Sequence, residues 1–404
     1  MLDKNLRIQR MVVFTKFFWP EGGGAELATY LVTRNILSKH FDVTIVSGTE
    51  RPENDILRHC RYVHWPVLRA KYKPIEWLKL FANTRVIRRL AKNADIIYIP
   101  SHTLLPLAIV TKSISPDAKV VLHLHNYQPL TYTSVVLVGR KPDLTTDVIV
   151  ERGEHDSLLR AVVSGLGYYI NRVNALSLYF ADKIICASKK QREILVGHVP
   201  AIQGKTTVVY NPPPPAPNID KKPSDTPSLL FSGGGSFVKG AHIATKAIIR
   251  ILAKYRCKIY LITAYSSNKD RFLEKIATRF QDKLIVLKKM PHKEYVNVHS
   301  HVWSLLFPSI CEEPLPYAVV ESCLLGTIPI ASRVGGIPEI VKGTCAERFL
   351  SRPGDVEDLV DRIEQVLALS REELWDIASE LKYVARKRFS TEETEKRLLE
   401  ALSS

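Results

Sequence analysis

Residues 309–341 constrain the fold more than any other stretch, because helix starts, glycine turns and a buried strand follow one another there. Pro316 suits the first position of a helix, where a missing N–H costs nothing, and Gly326 can end that helix in a left-handed conformation. The apolar run at 328–331 predicts a buried strand. After a second glycine turn, Pro338 begins another helix. This alternation predicts an α/β fold.

Two glutamates in this stretch are spaced to hold an extended ligand. Glu313 precedes the predicted helix of residues 317–325, and Glu321 lies roughly 12 Å further along its axis at 1.5 Å per residue. A helix N-terminus attracts phosphate, and a carboxylate at each end can accept hydrogen bonds from hydroxyls. A nucleotide sugar has this shape. The alternative is that both glutamates only decorate a helix start and a solvated face.

Length and composition bound the class of protein. The 404 residues suffice for two domains with separate cores, and 46% hydrophobic with 24% charged residues is typical of a folded soluble protein. The six cysteines are scattered without the spacing of a zinc site, so we expect reduced thiols and no metal. The sequence shows neither an apolar run of roughly 18 residues nor a signal peptide, which predicts a cytoplasmic protein.

The formal net charge of +16 calls for a partner or a solvated basic surface. Nucleic acid and an anionic membrane that carries an acceptor both fit, but no nucleic-acid-binding module is evident. Many cations fall in the segment from Arg69 to Lys92, where apolar and aromatic residues alternate with them. Such an amphipathic helix can lie peripherally in a headgroup layer. The alternative is an ordinary helix whose apolar face is core.

The first half of the chain predicts one doubly wound unit. A buried strand at Arg10–Thr15, a glycine-containing loop at 16–24 and a helix at 25–37 open it, and loops after such strands bind ligands. Residues 119–127 predict a strand that ends in a loop at His125. Residues 157–180 predict one or two helices lined by Leu158, Leu159, Val162, Val163, Leu166 and Tyr169. Acceptor-binding elements would lie near here, with no residue identified.

The second half repeats the same organisation. Residues 211–228 are too rich in proline and polar groups to pack and predict a linker between domains 1–210 and 229–375. A strand at 229–232, a glycine loop at 233–235 and a helix from Ala241 then follow, with Lys239 at the mouth of the helix. Two glycine loops, one in each domain, can hold a diphosphate from both sides. Residues 376–404 predict C-terminal helices.

Six short motifs, in this order, resemble those of the retaining glycosyltransferases of family 4, which have the GT-B fold. They cover most of the chain and are Gly23-Gly24-Ala25-Glu26, His125-Asn126, Asn211-Pro212, Lys239-Gly240, the pair Glu313 and Glu321, and Gly335-Gly336-Ile337-Pro338-Glu339. The resemblance implies two Rossmann-like domains that face a central cleft. It also implies that the last helix crosses back onto the first domain.

The resemblance implies a role for each matching position. His125 would meet the donor sugar, with His123 as second choice, Lys239 would bind the diphosphate, and Glu313 would bind sugar hydroxyls as the third catalytic residue. Glu321 would bind the ribose. The implied donor-binding residues are Gly23, Gly24, Gly234, Lys239, Met290, Glu313, Leu315, Pro316, Tyr317 and Glu321.

Two positions depart from the family pattern. Gly234 stands where the family usually has an arginine, so one phosphate-binding cation is missing unless another, such as Arg333, replaces it. Pro316 has no N–H to offer where many members have a glycine. These departures leave open whether turnover is reduced.

The resemblance implies transfer of a hexose-type sugar from a UDP- or GDP-sugar to a hydroxyl of a lipid-linked or polysaccharide glycan, with retention of configuration. The nucleotide sugar is a substrate, and neither cofactor nor metal is expected, because lysine and helix dipoles can neutralise the phosphates. Alternatives are a catalytically weak scaffold that binds nucleotide sugars at a membrane and, with less support, a nucleic-acid-binding protein.

Overall fold

The computed structural model describes residues 8–219, 221–263, 276, 278–280 and 282–403, which form two parallel sheets with helices on both faces. The first sheet has the order β3-β2-β1-β4-β5-β6-β7 and the second the order β10-β9-β8-β11-β12-β13. The predicted pair of Rossmann-like α/β units is therefore confirmed. The strands are β1 (Arg10–Thr15), β2 (Asp42–Ser47), β3 (Arg61–His64), β4 (Ile96–Ile99), β5 (Lys119–Leu124), β6 (Lys183–Cys186), β7 (Thr206–Val208), β8 (Ser228–Phe231), β9 (Lys258–Thr263), β10 (Leu284–Lys288), β11 (Ser304–Phe307), β12 (Ile328–Ser332) and β13 (Leu350–Ser351).

The helices connect these strands and cover the sheets. A serine just before a helical pattern predicts an N-cap, and Ser188 and Ser370 do cap their helices: each hydroxyl accepts a hydrogen bond from the backbone N–H three residues later. The α-helices span Gly24–Val32, Ser38–His40, Lys73–Ala82, Thr84–Leu90, Leu107–Ile114, Leu144–His155, Leu158–Ile170, Arg172–Phe180, Lys189–His198, Ala241–Lys254, His292–His301, Tyr317–Leu324, Ile337–Val341, Val356–Leu367, Arg371–Arg388 and Thr391–Ser403.

The basic segment from Arg69 to Lys92 is two helices, Lys73–Ala82 and Thr84–Leu90, instead of one. Trp77 and Ile87 are buried, so part of the apolar face is core, as the alternative interpretation held. Leu78 remains 69% exposed. The segment thus has both a core face and an exposed apolar and basic face.

Residues 157–180 form two helices, and the predicted apolar lining is wrong. Leu158, Leu159, Val162, Val163, Leu166 and Tyr169 are all at least half exposed. The buried positions of helix Leu158–Ile170 are Ala161, Ser164, Gly165 and Gly167. Small residues therefore face the protein and large apolar residues face outward.

The C-terminal helix Thr391–Ser403 lies against the first sheet. Leu398 and Leu402 share a buried cluster with Met11 of β1, and Lys119 Nζ donates to the carbonyl of Leu402 at 2.7 Å. The chain thus returns to its first half after the second sheet. The exact domain boundaries stay a prediction.

The two halves also meet through residues 133–139, whose sequence fits either a strand or a loop. Leu137 forms an isolated antiparallel bridge with Cys311, and the Val138 N–H donates to the carbonyl of Ile310 at 3.1 Å. The Glu312 N–H donates to the carbonyl of Val136 at 2.8 Å. This short pairing joins the first domain to the stretch that contains Glu313.

Candidate functional site

A cavity of about 570 Å³ lies between the two sheets, at the carboxyl ends of their strands. Both halves of the chain line it. The first half contributes Gly24, Ala25, His125, Ala187 and Asn211, and the second contributes Ser232, Gly233, Ser236, Lys239, Phe307, Glu313, Pro314, Leu315, Pro316, Tyr317 and Ala318. Seven of the predicted site residues therefore share one cavity.

The glycine pair after β12 shapes the backbone around Glu313. Gly335 has a φ of +51°, and a Cβ at this position would lie 1.9 Å from the Glu313 carbonyl oxygen. The Gly336 N–H donates to that carbonyl at 2.8 Å, and the Gly335 N–H donates to the Glu312 carboxylate at 2.7 Å. Only glycine permits this approach, so the turn fixes the position of Glu313.

Lys239 and Glu313 form an ion pair in the cavity wall. Lys239 Nζ lies 2.7 Å from Glu313 Oε1, and the Ser309 hydroxyl donates to the same oxygen at 2.7 Å. Gly240 has a φ of +73°, and a Cβ there would lie 1.9 Å from the Pro308 carbonyl oxygen, which explains the Lys-Gly pair.

The surroundings of Lys239 keep its ammonium group charged. Burial lowers the pKa of its ammonium, but Glu313 and the other neighbouring acids outweigh burial and raise it above the ordinary value. Lys239 Nζ also lies 5.3 Å from the centre of the Phe307 ring. Lys239 is therefore positively charged at neutral pH and can bind an anion in the cavity.

His125 follows β5 and borders the cavity as a neutral side chain. Burial lowers its pKa to about 4, and its buried Nε2 has no hydrogen-bond partner within the described part of the chain. His123, the second choice, lies deeper in the sheet, where its Nδ1 bonds the Tyr98 hydroxyl. Of the two histidines, His125 borders the cavity and His123 does not.

The N-terminus of helix Tyr317–Leu324 meets the first domain at the glycine loop. A Cβ on Gly24 would lie 3.7 Å from the Tyr317 ring, and the Tyr317 hydroxyl donates to the Pro212 carbonyl at 2.7 Å. Pro316 is the N-cap of this helix and has no N–H. The backbone N–H groups at the start of this helix therefore begin at Tyr317, and they favour an anion in the cavity.

Glu321 is buried on helix Tyr317–Leu324, about one turn after Tyr317, and does not line this cavity. It hydrogen-bonds His292, and this bond raises the pKa of the imidazole. Gly23, Gly234 and Met290 are likewise outside the lining of the 570 Å³ cavity, although Gly23 and Gly234 adjoin residues that line it. Their predicted roles stay predictions.

The missing family arginine has a local explanation. Gly234 has a φ of +53°, a conformation in which any larger residue is strained. Arg333 is not among the residues that line the cavity, and its guanidinium lies 3.4 Å from the Glu347 carbonyl oxygen. Lys239 is the one lysine or arginine among the described lining residues.

The sequence interpretation did not identify Ser232, Ser236 and Asn211 as site residues. The two serines flank the glycine loop, and serine hydroxyls beside such a loop are a detectable signal. Asn211 begins the proline run and belongs to the Asn211-Pro212 motif, for which the sequence indicates no contact with a ligand. Its side-chain oxygen is buried and has no hydrogen-bond partner within the described residues. It can accept a hydrogen bond from a ligand.

Two glutamates hold the walls of the cavity together. Glu339, the last residue of the second glycine motif, accepts hydrogen bonds from the backbone N–H groups of Lys189 and Lys190 and from the Tyr210 hydroxyl at 2.8–3.0 Å. Glu154 of helix Leu144–His155 accepts from the Ser236 hydroxyl at 2.8 Å and the Val238 N–H at 2.9 Å. The glycine loop of the second domain is thus held by the first.

Comparisons with known proteins agree with this architecture. Residues 22–215 match the family described as Glycosyltransferase Family 4, and residues 215–388 match Glycosyl transferases group 1. The chain is 22% identical over 328 residues to a subunit of the phosphatidylinositol N-acetylglucosaminyltransferase of Arabidopsis thaliana. That match covers 77% of this chain and 70% of the Arabidopsis protein.

Solved structures share the fold over almost the whole chain. A sucrose-phosphate synthase of Thermosynechococcus elongatus has a TM-score of 0.73 at 15% identity, with 98% of each chain covered. HepE of Anabaena, in complex with UDP-glucose, has a TM-score of 0.68 at 17% identity, with 98% of this chain and 99% of that chain covered. The chain therefore belongs to glycosyltransferase family 4 and has the GT-B fold of two Rossmann-like domains.

Proposed function

We propose that this transferase moves a hexose-type sugar from a UDP- or GDP-sugar to a hydroxyl of a lipid-linked or polysaccharide glycan, with retention of configuration. The observation that carries the proposal is that Gly24, Lys239 and Glu313 line one cavity from two domains. A diphosphate in this cavity would meet a charged lysine and the N-terminus of helix Tyr317–Leu324. The sugar would lie toward Glu313, which can accept hydrogen bonds from its hydroxyls.

The chemical step requires charge stabilisation on the leaving group. The bond between the anomeric carbon and the β-phosphate oxygen breaks, and its electron pair leaves with the nucleoside diphosphate. A bond forms between that carbon and the acceptor oxygen on the same face, and the departing phosphate takes the acceptor proton. Lys239 stabilises the growing negative charge, while neutral His125 can donate or accept a hydrogen bond at the sugar.

The chain's own residues supply these groups without a resident cofactor. We expect the nucleotide sugar to act as a substrate and the ammonium of Lys239 to take the place of a metal at the diphosphate. Among the residues that the structure describes, no group of three or more histidines, cysteines or carboxylates is arranged to hold a metal ion. Activity with a chelator present would support the proposal.

The relatives suggest which donor and which acceptor to test first. HepE was solved with UDP-glucose, which favours a UDP-sugar as the first donor to try here. The Arabidopsis relative carries phosphatidylinositol in its name, which favours a lipid acceptor. We propose a cytoplasmic enzyme that contacts a membrane peripherally through the segment from Arg69 to Lys92. No helix in the described ranges is long and apolar enough to cross a bilayer.

A panel of UDP-, GDP- and ADP-sugars tests the function, read as nucleotide release with and without a lipid extract. One donor should release nucleotide, and the lipid extract should increase the rate. Glu313→Gln should lose most transfer while still binding the nucleotide, because the charge that accepts from the sugar hydroxyls is gone. Glu357→Gln, on an exposed side chain of the same domain, is the matched control. Full transfer by Glu313→Gln would remove Glu313 from the site.

The second candidate is a catalytically weak scaffold that binds nucleotide sugars. The positions of Gly234 and Pro316 favour it, because the glycine loop lacks a second cation and the helix start lacks one N–H. A scaffold would bind one nucleotide from the panel but release none from its sugar with any acceptor. Turnover by the unmodified protein would exclude this alternative.

A further inference from the structure

Helix Leu158–Ile170 presents its large apolar side chains to solvent. Leu159 is 76% exposed and Leu166 is 63% exposed, where a helix of a water-soluble domain would bury such residues. The exposed set continues along the helix and into the next one. Its members are Leu158, Leu159, Val162, Val163, Leu166, Tyr169, Ile170, Leu176 and Tyr179.

Close packing fixes this orientation. The inward face carries Ala161, Ser164, Gly165 and Gly167, which lie against the rest of the domain. A Cβ on Gly165 would lie 2.7 Å from the Val148 side chain, and one on Gly167 would lie 2.8 Å from the Tyr132 ring. Larger residues cannot turn inward here without displacing helix Leu144–His155 or Tyr132. The apolar face therefore stays exposed.

The charge around this face is positive. Residues 157–180 contain Arg160 and Arg172 but no aspartate or glutamate, although Arg160 pairs with Glu151 of the preceding helix at 3.0 Å. The neighbouring segment from Arg69 to Lys92 has eight lysines and arginines and one acid, Glu76. Glu76 is buried and bound to Lys16 at 2.9 Å, so it does not offset the exposed cations. An apolar face with cations around it is typical of a surface that binds anionic lipid.

A second cavity, of about 640 Å³, lies between these two elements. Tyr72 and Lys73 border it on one side, and Leu159 and Val163 of the exposed face border it on the other. Ser236 lines both this cavity and the 570 Å³ cavity. The second cavity therefore joins the exposed apolar face to the glycine loop of the proposed donor site.

Its lining suits the head of an amphiphile. Glu151, which pairs with His155 at 3.6 Å and with Arg160 at 3.0 Å, forms a polar and charged group with them, whereas Val150 and Val163 supply apolar wall. Carboxylate, imidazole and guanidinium groups can bind the hydroxyls and anionic groups of a lipid-borne glycan. The apolar wall continues outward into the exposed face, where a lipid chain would be in a bilayer.

We propose that the outer face of helix Leu158–Ile170 docks on an anionic lipid bilayer and that the second cavity takes the headgroup of a lipid-borne acceptor. The headgroup half of this proposal rests on the proposed transferase function, and the docking half does not. Exposed Tyr169 and Tyr179 suit the headgroup level, where an aromatic ring and its hydroxyl are both accommodated.

Charge argues for a bilayer as the occupant over a second copy of this chain. A symmetric dimer through this face would place the same surface on both sides of the interface. Arg160 already pairs with Glu151 at 3.0 Å, but Arg172 would be opposed by its own copy, and residues 157–180 offer no carboxylate to pair with it. A bilayer that contains anionic lipid supplies the opposite charge and an apolar interior.

The test is flotation of the full chain with vesicles of phosphatidylcholine, with or without phosphatidylglycerol. The double variant Val162→Asp, Leu166→Asp changes the outward face without touching the residues that line either cavity. Tyr383→Asp is the matched control, because Tyr383 is 69% exposed on helix Arg371–Arg388 of the second domain. Thermal melts of all three proteins show whether folding is retained.

We expect the unmodified chain and Tyr383→Asp to float with vesicles that contain phosphatidylglycerol and the double variant to lose binding by roughly tenfold or more. Equal flotation of the double variant would overturn the proposal. So would a dimer, measured by light scattering, that the double variant dissociates while no protein floats.

Nucleotide release separates this proposal from the proposed function. If the double variant floats poorly but turns over a donor with a soluble acceptor, docking is supported and the function stands. If the chain floats with vesicles but turns over no donor, the proposed function is contradicted and the proposal of bilayer docking stands. If the double variant and the unmodified chain turn over a lipid acceptor equally, the proposal that the second cavity takes the headgroup of a bilayer-borne acceptor is overturned.

Discussion

Replacement of Lys239 by methionine tests the central element of the site. Lys239 Nζ lies 2.7 Å from Glu313 Oε1 and lines the cavity proposed for the diphosphate. Loss of one group that stabilises transition-state charge typically costs about 2–4 kcal/mol of barrier. At about 1.4 kcal/mol for each tenfold change, kcat/KM should fall roughly 30- to 1,000-fold. Methionine keeps most of the side-chain volume, so the loss would report charge.

The same substitution should also destabilise the fold. Glu313 would remain buried without a cation, with the Ser309 hydroxyl at 2.7 Å and the Cys311 thiol at 3.5 Å as donors to its carboxylate. Breaking a fully buried pair costs about 3–5 kcal/mol, but the Lys239 side chain is 36% exposed and water screens the pair. We therefore expect a loss of about 1–2 kcal/mol in the free energy of unfolding, measured with urea.

A double variant separates the two effects. Lys239→Met with Glu313→Gln leaves no unpaired buried charge, so its unfolding free energy should exceed that of Lys239→Met alone. Its activity should stay low, because neither charged group acts on the substrate. Lys246→Met, on an exposed position of the helix Ala241–Lys254 that follows Lys239, controls for loss of a lysine.

Steady-state nucleotide release at several donor concentrations gives kcat/KM for each protein. The reasoning is refuted if Lys239→Met retains more than about a third of the unmodified kcat/KM, since a loss of about 0.7 kcal/mol is too small for a group on the leaving diphosphate. It is also refuted if Lys246→Met loses as much activity as Lys239→Met.

Two further substitutions test the surroundings of the site. Glu339→Gln removes a carboxylate that accepts three hydrogen bonds from the first domain, so we expect about 1–2 kcal/mol less stability in urea unfolding and a larger radius of gyration by X-ray scattering. An unchanged radius would contradict a role in holding the domains together. His292→Gln removes the partner of Glu321, whose bond raises the imidazole pKa. Because that pKa is raised, the bond contributes fully to the stability of the fold below the unfolded pKa of about 6.5 and is lost as pH rises through the folded pKa. Loss of the bond frees the Glu321 carboxylate for the ribose that it is predicted to bind. Calorimetric binding of UDP should therefore tighten with pH over this window in the unmodified chain and depend less on pH in His292→Gln; identical pH profiles would contradict it.

Local signals in the sequence predicted most of the fold. The strand at Arg10–Thr15 and the caps at Ser188 and Ser370 depend on residues near each other in the chain, so their pattern is sufficient. The glycine motifs were also informative, because Gly335 and Gly240 lie against backbone oxygens that leave no room for a side chain. Such positions restrict the residue type strongly.

Contacts between the domains were not predictable from the same signals. Glu154 has no motif around it, and its bonds to Ser236 and Val238 depend on how two separate folding units meet. Glu339 was identified as part of a motif, but its contact with Lys189 and Lys190 was not. Pairing across more than 80 residues of sequence has no local periodicity to reveal it.

Helix Leu158–Ile170 shows where hydrophobic periodicity fails. Its sequence carries two faces with the same 3.6-residue period, one of large apolar residues and one of small residues at Ala161, Ser164 and Gly165. The rule that the larger apolar face is buried selects the wrong one, because the small face permits closer packing against helix Leu144–His155. Periodicity identifies the two faces, whereas packing against the neighbouring helix decides which face is buried.

The pairing of Lys239 with Glu313 also accounts for how the cavity can accept a charged ligand at low cost. Each side chain neutralises the other, so neither charge is buried alone. A diphosphate can replace the carboxylate as the partner of Lys239 while sugar hydroxyls donate to Glu313. Both charges keep a partner throughout this exchange. Because Gly234 brings no second cation to the loop, the exchange depends on Lys239 more than it would in a site with two cations.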